Sequence, residues 1–112
     1  MHEMSIAVGL IELAEDQARA AGAGHINSLE VEIGVLAGVE FGSLAFCYES
    51  ARLGTLCEGA RLDIIERPGR GHCPVCRTDT DVDFFVALCP DCDGGLEIRQ
   101  GRELRLRSLN VD

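Results

Sequence analysis

The feature that most constrains this chain is a pair of Cys-x-x-Cys segments, separated by twelve residues, in the second half of the sequence. They read Cys-Pro-Val-Cys and Cys-Pro-Asp-Cys, and their four thiols belong to Cys73, Cys76, Cys89 and Cys92. Two cysteines at this spacing can bind one ion with both sulfurs, at about 2.3 Å from a zinc. Because four sulfurs complete a tetrahedron and leave no position for water, the spacing predicts a structural zinc site rather than a catalytic one.

The same four cysteines allow two other interpretations, a pair of disulfides or an iron centre of the rubredoxin type. The chain begins Met1-His2-Glu3 without the basic and apolar segments of a signal peptide, which predicts a cytoplasmic protein. In that reducing compartment cysteine pairs of this kind bind metal, so disulfides are disfavoured. Iron shares the preference of zinc for four thiolates, and the spacing alone leaves it open.

Size and charge limit the classes of partner. With 112 residues the chain has room for one ordinary core together with a small metal-stapled module. No apolar run approaches the ~20 residues that a membrane-spanning helix needs. With 19 acidic against 10 basic side chains the net charge is -9, which repels a phosphate backbone. We therefore expect neither a membrane nor nucleic acid among the partners.

Hydrophobic periodicity predicts an α+β fold. Apolar residues recur at helical spacing over residues 4–21 and 40–53, which predicts two helices. Apolar and polar residues alternate over residues 26–35, and a shorter apolar segment covers residues 61–66, which predicts two strands. We expect the helices to pack against a small sheet.

The sequence also allows predictions about individual side chains. Glu32 falls on the polar face of the first strand. Phe46 and Cys47 add apolar surface to the second helix, so we expect that helix to be more deeply buried than the first. Cys47 and Cys57 have no cysteine at ligand spacing, which indicates ordinary core or edge residues.

The segments around the four cysteines complete the predicted architecture. Residues 67–71 contain proline and two glycines and are typical of a break, while residues 82–88 are apolar enough for a strand. Residues 96–106 alternate on both sides of Gln100-Gly101 as in a hairpin, whose returning strand is long enough to pair with the earlier strands. The four-cysteine, zinc-ribbon-like module is therefore predicted to be an insertion. The predicted domains are an α+β domain over residues 1–68 and 96–112 and a zinc-binding domain over residues 69–95.

The first three residues form a second candidate metal site. The α-amine of Met1, a backbone amide that can lose its proton and the imidazole of His2 can form fused chelate rings around a divalent metal. Such nitrogen-rich, nearly planar sets suit nickel(II) or copper(II). An early histidine is also common in chain termini that have no function.

The order of these features resembles the HypA/HybF family of hydrogenase nickel incorporation proteins, which are nickel metallochaperones. The resemblance rests on three features: Met-His-Glu followed by Met4-Ser5 and an amphipathic helix, the doubled Cys-x-x-Cys, and the segment Gly101-Arg102-Glu103-Leu104-Arg105-Leu106. It covers essentially the whole chain. It implies an α+β nickel-binding domain together with a four-cysteine domain that binds structural zinc.

The resemblance also implies ligands. His2 and Glu3 match the histidine and glutamate that bind nickel in that family, and the four cysteines match its zinc ligands. Glu40 matches a carboxylate near the nickel in some members, at the start of the second helix. Because an acidic residue in that position also interacts favourably with the helix dipole, a purely structural role is the alternative.

The function implied by the resemblance is the delivery of transiently bound nickel(II) to the immature large subunit of a [NiFe]-hydrogenase, together with a nickel-binding maturation GTPase. Some members also serve urease, which makes urease maturation proteins further candidate partners. The chain has no Gly-x-x-x-x-Gly-Lys loop, so the nucleotide energy must come from the partner. We expect no enzymatic activity, and we expect His25 and His72 to be solvated residues rather than catalysts.

Two other classes of function compete with nickel delivery. One is a zinc-ribbon module that scaffolds an assembly or touches nucleic acid, and the net charge argues only against the nucleic acid. The other is a metalloenzyme that uses the amino-terminal metal. That enzyme would need an open coordination position and a substrate pocket, for which the sequence gives no sign.

Overall fold

A computed structural model describes residues 2–83 and 87–112 as two helices and six strands, which confirms the α+β class. The helices are α1 Glu3–Ala20 and α2 Phe41–Ala51. The strands are β1 Ile26–Gly34, β2 Arg61–Arg67, β3 Gly69–Cys73, β4 Thr78–Val82, β5 Glu97–Gln100 and β6 Leu104–Val111. Both predicted helices and the predicted strands over 26–35 and 61–66 are present, with ends that differ by a few residues at most.

The strands form two three-stranded sheets, with the orders β2-β1-β6 and β4-β3-β5. The chain separates into two compact units. The first unit is Met1–Glu32, Val39–Ile65 and Arg105–Asp112, and the second unit is Ile33–Gly38 and Glu66–Leu104. The division into a nickel-binding and a zinc-binding domain assigns functions to parts of the chain, and it stays a prediction.

Helix α1 supplies much of the core of the first unit. Its buried side chains recur at helical spacing and are Ala7, Leu10, Ile11, Ala14 and Ala18. The helix ends where Gly22 takes a positive φ of 74°. There the Ala23 N–H donates to the Ala18 carbonyl and the Gly22 N–H donates to the Arg19 carbonyl. This pair of bonds is a Schellman motif, which satisfies the last carbonyls of a helix and favours glycine.

Helix α2 buries less than expected. Only Leu44 and Tyr48 are buried on it, four residues apart, and the Tyr48 hydroxyl donates to the buried Ala60 carbonyl at 2.9 Å. Phe46 is 74% exposed because it lies about 200° around the helix from Leu44. The prediction that α2 would be more deeply buried than α1 is therefore wrong.

Glu32 on β1 is buried, although the alternating pattern assigned it to the polar face. Arg105 on β6 donates to Glu32 Oε2 at 2.9 Å, and the Arg107 Nε lies 3.7 Å from Oε1. A buried carboxylate is tolerated when cations pair with it. Side chains of the neighbouring strand therefore cover a position that the single-strand pattern left open to solvent.

Strand β3 occupies the segment that was predicted to be a break. Gly69, Gly71 and Cys73 alternate as its buried positions. A Cβ at Gly69 would lie 2.2 Å from the Val82 carbonyl oxygen, and one at Gly71 would lie 2.8 Å from a Val82 methyl carbon. The glycines that suggested a break are thus required by the close approach of β4, and the prediction fails for that reason.

Strand β4 lies earlier than the strand predicted over residues 82–88. It pairs antiparallel with β3, with Cys73 opposite Thr78 and Gly69 opposite Val82. The turn at the first cysteine pair, rather than apolar content, therefore sets its position. Leu88 makes an isolated bridge to Gly95, and residues 84–86 lie outside the described residues.

The predicted hairpin over residues 96–106 is wrong, because its two halves join different sheets. Strand β5 pairs with β3, whereas β6 neighbours β1, as the expected return to the earlier strands requires. Between them Gly101 has a φ of 120°, and its carbonyl accepts the Leu36 N–H at 2.7 Å. The Glu103 carbonyl likewise accepts the Gly34 N–H at 2.8 Å, so the backbone of the connecting residues bonds to the end of β1 and the segment after it. No helix among the described residues is long and apolar enough to span a membrane.

The contrast between Leu44 and Phe46 gives a test of α2. We expect Leu44→Ala to lower the free energy of unfolding by about 2–5 kcal/mol, because it leaves a cavity in the core. Phe46→Ala, the matched control on the same helix, should change it by less than about 0.5 kcal/mol. Urea denaturation of the zinc-loaded protein measures both. Equal losses would mean that Phe46 belongs to the core after all.

Candidate metal sites

The structure brings the four predicted zinc ligands together within the second unit. One sulfur from each of Cys73, Cys76, Cys89 and Cys92 lies within 4.8 Å of the other three. All six cysteines of the chain are free thiols, so the structure does not contain the alternative arrangement of two disulfides. Cys73 and Cys89 are buried, and Cys92 is exposed.

The sulfur separations fit a tetrahedral ion. Cys73 Sγ lies 3.6 Å from Cys92 Sγ, and Cys89 Sγ lies 3.9 Å from Cys76 Sγ. A tetrahedron with metal–sulfur bonds of about 2.3 Å has edges of about 3.8 Å. The thiols therefore already have the spacing of a four-sulfur metal centre.

The two cysteine pairs lie in turns of matching form. The Arg77 N–H donates to the Cys73 carbonyl at 2.8 Å, and the Asp93 N–H donates to the Cys89 carbonyl at 2.9 Å. Arg77 and Asp93, each the residue after the second cysteine, both have a φ near 60°, at 58° and 59°. The repeated motif in the sequence thus becomes a repeated backbone geometry, which presents two sulfurs from each turn.

The four thiols differ in acidity. The Cys76 N–H donates to Cys73 Sγ at 3.3 Å and is the main cause that lowers the pKa of the Cys73 thiol to about 7. The neighbouring sulfurs of Cys92 and Cys73 raise the pKa of the Cys76 thiol to about 12. Because thiolates repel one another, a cation is needed for all four sulfurs to ionise together.

His25 and His72 lie outside the cluster of four sulfurs. His72 on β3 is opposite Asp79 on β4, and its Nδ1 lies 2.8 Å from Asp79 Oδ1. The prediction of a solvated residue missed this pairing, which depends on the register of two strands. His25 is exposed, as predicted, and its carbonyl accepts the Asp112 N–H at 3.3 Å.

The two remaining cysteines match the prediction of core or edge residues. Cys57 is fully buried in the first unit, and burial raises the pKa of its thiol. Cys47 is half-buried on α2. Neither belongs to a cluster of metal-ligating side chains in the described part of the chain.

The predicted nickel ligands lie at the start of α1. His2 is the residue before the first turn, and its side chain is exposed and makes no capping hydrogen bond. Its carbonyl accepts the Ile6 N–H at 3.2 Å, and Glu3 is the first helical residue. Met1, whose α-amine the predicted chelate requires, lies outside the described residues.

Glu40 contacts Glu3 through its backbone, whereas the Glu40 carboxylate is hydrogen-bonded at the start of α2. The Glu40 backbone N–H donates to Glu3 Oε2 at 3.3 Å. The Glu40 carboxylate itself accepts the N–H groups of Gly42 and Ser43 and so caps α2. Hydrogen bonds from the Ser43 side chain and these N–H groups hold the pKa of the Glu40 carboxyl below its usual value.

Sequence reasoning predicted the dipole alternative for Glu40 but missed the cap and the contact with Glu3. Glutamate is not among the preferred capping residues, which are Ser, Thr, Asp and Asn. The Gly42-Ser43 pair just after it is the signal that the sequence offered. A Cβ at Gly42 would lie 3.3 Å from Glu40 Oε1, so glycine there leaves room for the carboxylate to fold back.

Comparison with known proteins identifies the family. A family model described as hydrogenase/urease nickel incorporation, metallochaperone, HypA matches residues 1–111. The hydrogenase maturation factors HypA of Azotobacter vinelandii and Chlorobaculum tepidum are 44% and 45% identical to this chain, over the full length of each protein. The solution structure of the Ni metallochaperone HypA from Helicobacter pylori matches with a TM-score of 0.72 at 30% identity, covering 99% of this chain and 97% of that one. The chain therefore belongs to the HypA family of nickel incorporation proteins, metallochaperones of hydrogenase maturation that are not enzymes.

Proposed function

We propose that this protein binds nickel(II) at its amino terminus and delivers it, in the cytoplasm, to the immature large subunit of a [NiFe]-hydrogenase. The observation that carries the proposal is the match of a nickel incorporation family to residues 1–111 of a chain that begins Met-His-Glu. Relatives of the same length are named hydrogenase maturation factors, which supports an immature hydrogenase as the recipient.

The nickel ligands in this proposal are the α-amine of Met1, a backbone amide, the imidazole of His2 and the carboxylate of Glu3. An α-helix leaves its first N–H groups without intrahelical partners, and His2 and Glu3 are at that end of α1. A metal can therefore replace an amide proton there without breaking a helical hydrogen bond. The exposed imidazole is free to turn toward the same ion.

The second metal in this proposal is a structural zinc held by Cys73, Cys76, Cys89 and Cys92. Sulfur separations of 3.6 and 3.9 Å support a four-coordinate ion. An ion surrounded by four sulfurs has no position for a substrate, so zinc contributes to folding and nickel is the cargo.

The partners in this proposal follow from what the chain lacks and from the family description. The sequence has no phosphate-binding loop, so a separate nickel-binding maturation GTPase supplies the nucleotide step. The family description names urease beside hydrogenase, which makes urease maturation proteins further candidates. The net charge of -9 argues against nucleic acid as a partner.

Removal of one zinc ligand tests the zinc site. We expect Cys76→Ala to lose the zinc and unfold residues 70–95 while most of the first unit stays folded, because structural zinc contributes on the order of 10 kcal/mol in small modules. Zinc analysis and hydrogen exchange measure the two effects. Cys47→Ala is the matched control and should keep one zinc per chain. Native exchange in Cys76→Ala with a full zinc content would contradict the proposal.

Two changes at the amino terminus test the nickel site. We expect His2→Ala, which removes the imidazole, and an amino-terminal extension, which removes the α-amine, each to abolish tight nickel binding in a calorimetric titration. Both should keep one zinc per chain, and His25→Ala should bind nickel like the wild type. Affinity should fall as the pH is lowered, because protons compete with the metal for nitrogen ligands. Unchanged binding in His2→Ala would favour the zinc-ribbon scaffold instead.

Transfer to a recipient tests delivery. We expect the nickel-loaded protein, mixed with a maturation GTPase, GTP and the nickel-free hydrogenase large subunit, to pass its nickel to that subunit. The His2→Ala variant should pass none above the background from free nickel, because it holds no cargo. Nickel analysis of the recovered subunit measures the transfer. Equal transfer by the wild type and His2→Ala would count against a delivery role.

A further inference from the structure

Glu40 links the beginnings of the two helices through two different groups. Its carboxylate accepts the N–H groups of Gly42 and Ser43 at the start of α2, with the Gly42 bond at 3.1 Å. Its backbone N–H points instead at α1 and donates to Glu3 Oε2 at 3.3 Å. The residue therefore ties the orientation of the Glu3 carboxylate to the capping of α2.

We propose that Glu40 is a positioning residue for the nickel cargo, which acts through Glu3 and does not bind the metal. The proposal rests on the proposed function of the amino terminus. Both carboxylate oxygens of Glu40 already accept hydrogen bonds. If that carboxylate turned to nickel, two N–H donors of α2 would lose their acceptor, which costs free energy.

The contact with Glu3 explains how Glu40 assists the binding of nickel. The hydrogen bond engages Glu3 Oε2, and in this proposal Glu3 Oε1 is the oxygen that binds the metal. A hydrogen bond to a ligating carboxylate fixes its orientation, and loss of such an outer partner typically weakens metal binding 10- to 100-fold. The N–H group is correctly aimed only while the cap holds residue 40 in the extended conformation that precedes α2, with φ -85° and ψ 113°.

Three variants separate positioning from direct ligation. Glu40→Ala removes the cap and should weaken nickel binding by about 10-fold or more. Glu40→Asn replaces the glutamate by a good capping residue without a charge, and it should bind within about threefold of the wild type. Glu49→Ala removes the same charge from an exposed position of α2 and should bind like the wild type. Calorimetry on protein with a free amino terminus gives the affinities, and zinc content and circular dichroism report the fold.

A double-mutant cycle shows whether Glu40 acts through Glu3. In a Glu3→Gln background, Glu40→Ala should cause little further loss of nickel affinity, because the carboxylate that it positions is absent. A ligand at Glu40 would give an added loss in both backgrounds. The proposal is overturned if Glu40→Asn loses as much affinity as Glu40→Ala, or if neither variant loses any.

A measurement without nickel separates this proposal from the proposed function. Glu3→Ala should move the amide proton resonance of residue 40 upfield in the zinc-loaded protein, since a hydrogen bond to a carboxylate is removed. Glu3→Ala should cause the same upfield change in a Glu40→Asn background and no change in a Glu40→Ala background. If the wild type binds no nickel, the nickel function fails and with it the positioning of cargo, whereas this measurement still decides whether the cap orients Glu3. If Glu3→Ala leaves the amide proton resonance of residue 40 unchanged, the proposal is overturned whatever the nickel affinities are.

Discussion

The second unit depends on the attraction between four sulfurs and a cation, because little else in it is buried. Among its described residues the buried apolar side chains are Ile33, Val82 and two of the cysteines themselves, Cys73 and Cys89. Glycines take the remaining buried positions of β3, so the sheet brings backbones together without enclosing much apolar area. A unit of this kind gains stability from ligation where larger proteins gain it from a core.

The first unit is built around an apolar core, and its elements were easier to predict from the sequence for that reason. Helix α1 and strand β1 were predicted to within one residue at each end, because a one-sided core imposes a clear period on each element. Glu32 was misplaced because its burial comes from Arg105 and Arg107 on β6, which lie more than 70 positions along the chain. Hydrophobic periodicity predicts only which residues of a single strand share a face. It does not predict ion pairs between neighbouring strands, because these depend on how the sheet assembles.

Predictions failed in the second unit where one sequence signal permits two backbone geometries. The glycines of β3 permit either a break or a close approach of strands, and only the pairing with β4 decides between them. The cysteines were predictable because their spacing alone sets how two sulfurs can share an ion. The contact between Glu3 and Glu40 was not predictable, since it depends on how two helices begin next to each other.

The four clustered sulfurs come from two turns that are twelve residues apart in the sequence. A cation held by both turns would close the chain between them into a loop, and such a crosslink stabilises a fold by restricting its unfolded state. Unlike a disulfide, this crosslink would form and open without an oxidant or a reductant. The second unit would therefore gain or lose its crosslink with the supply of metal.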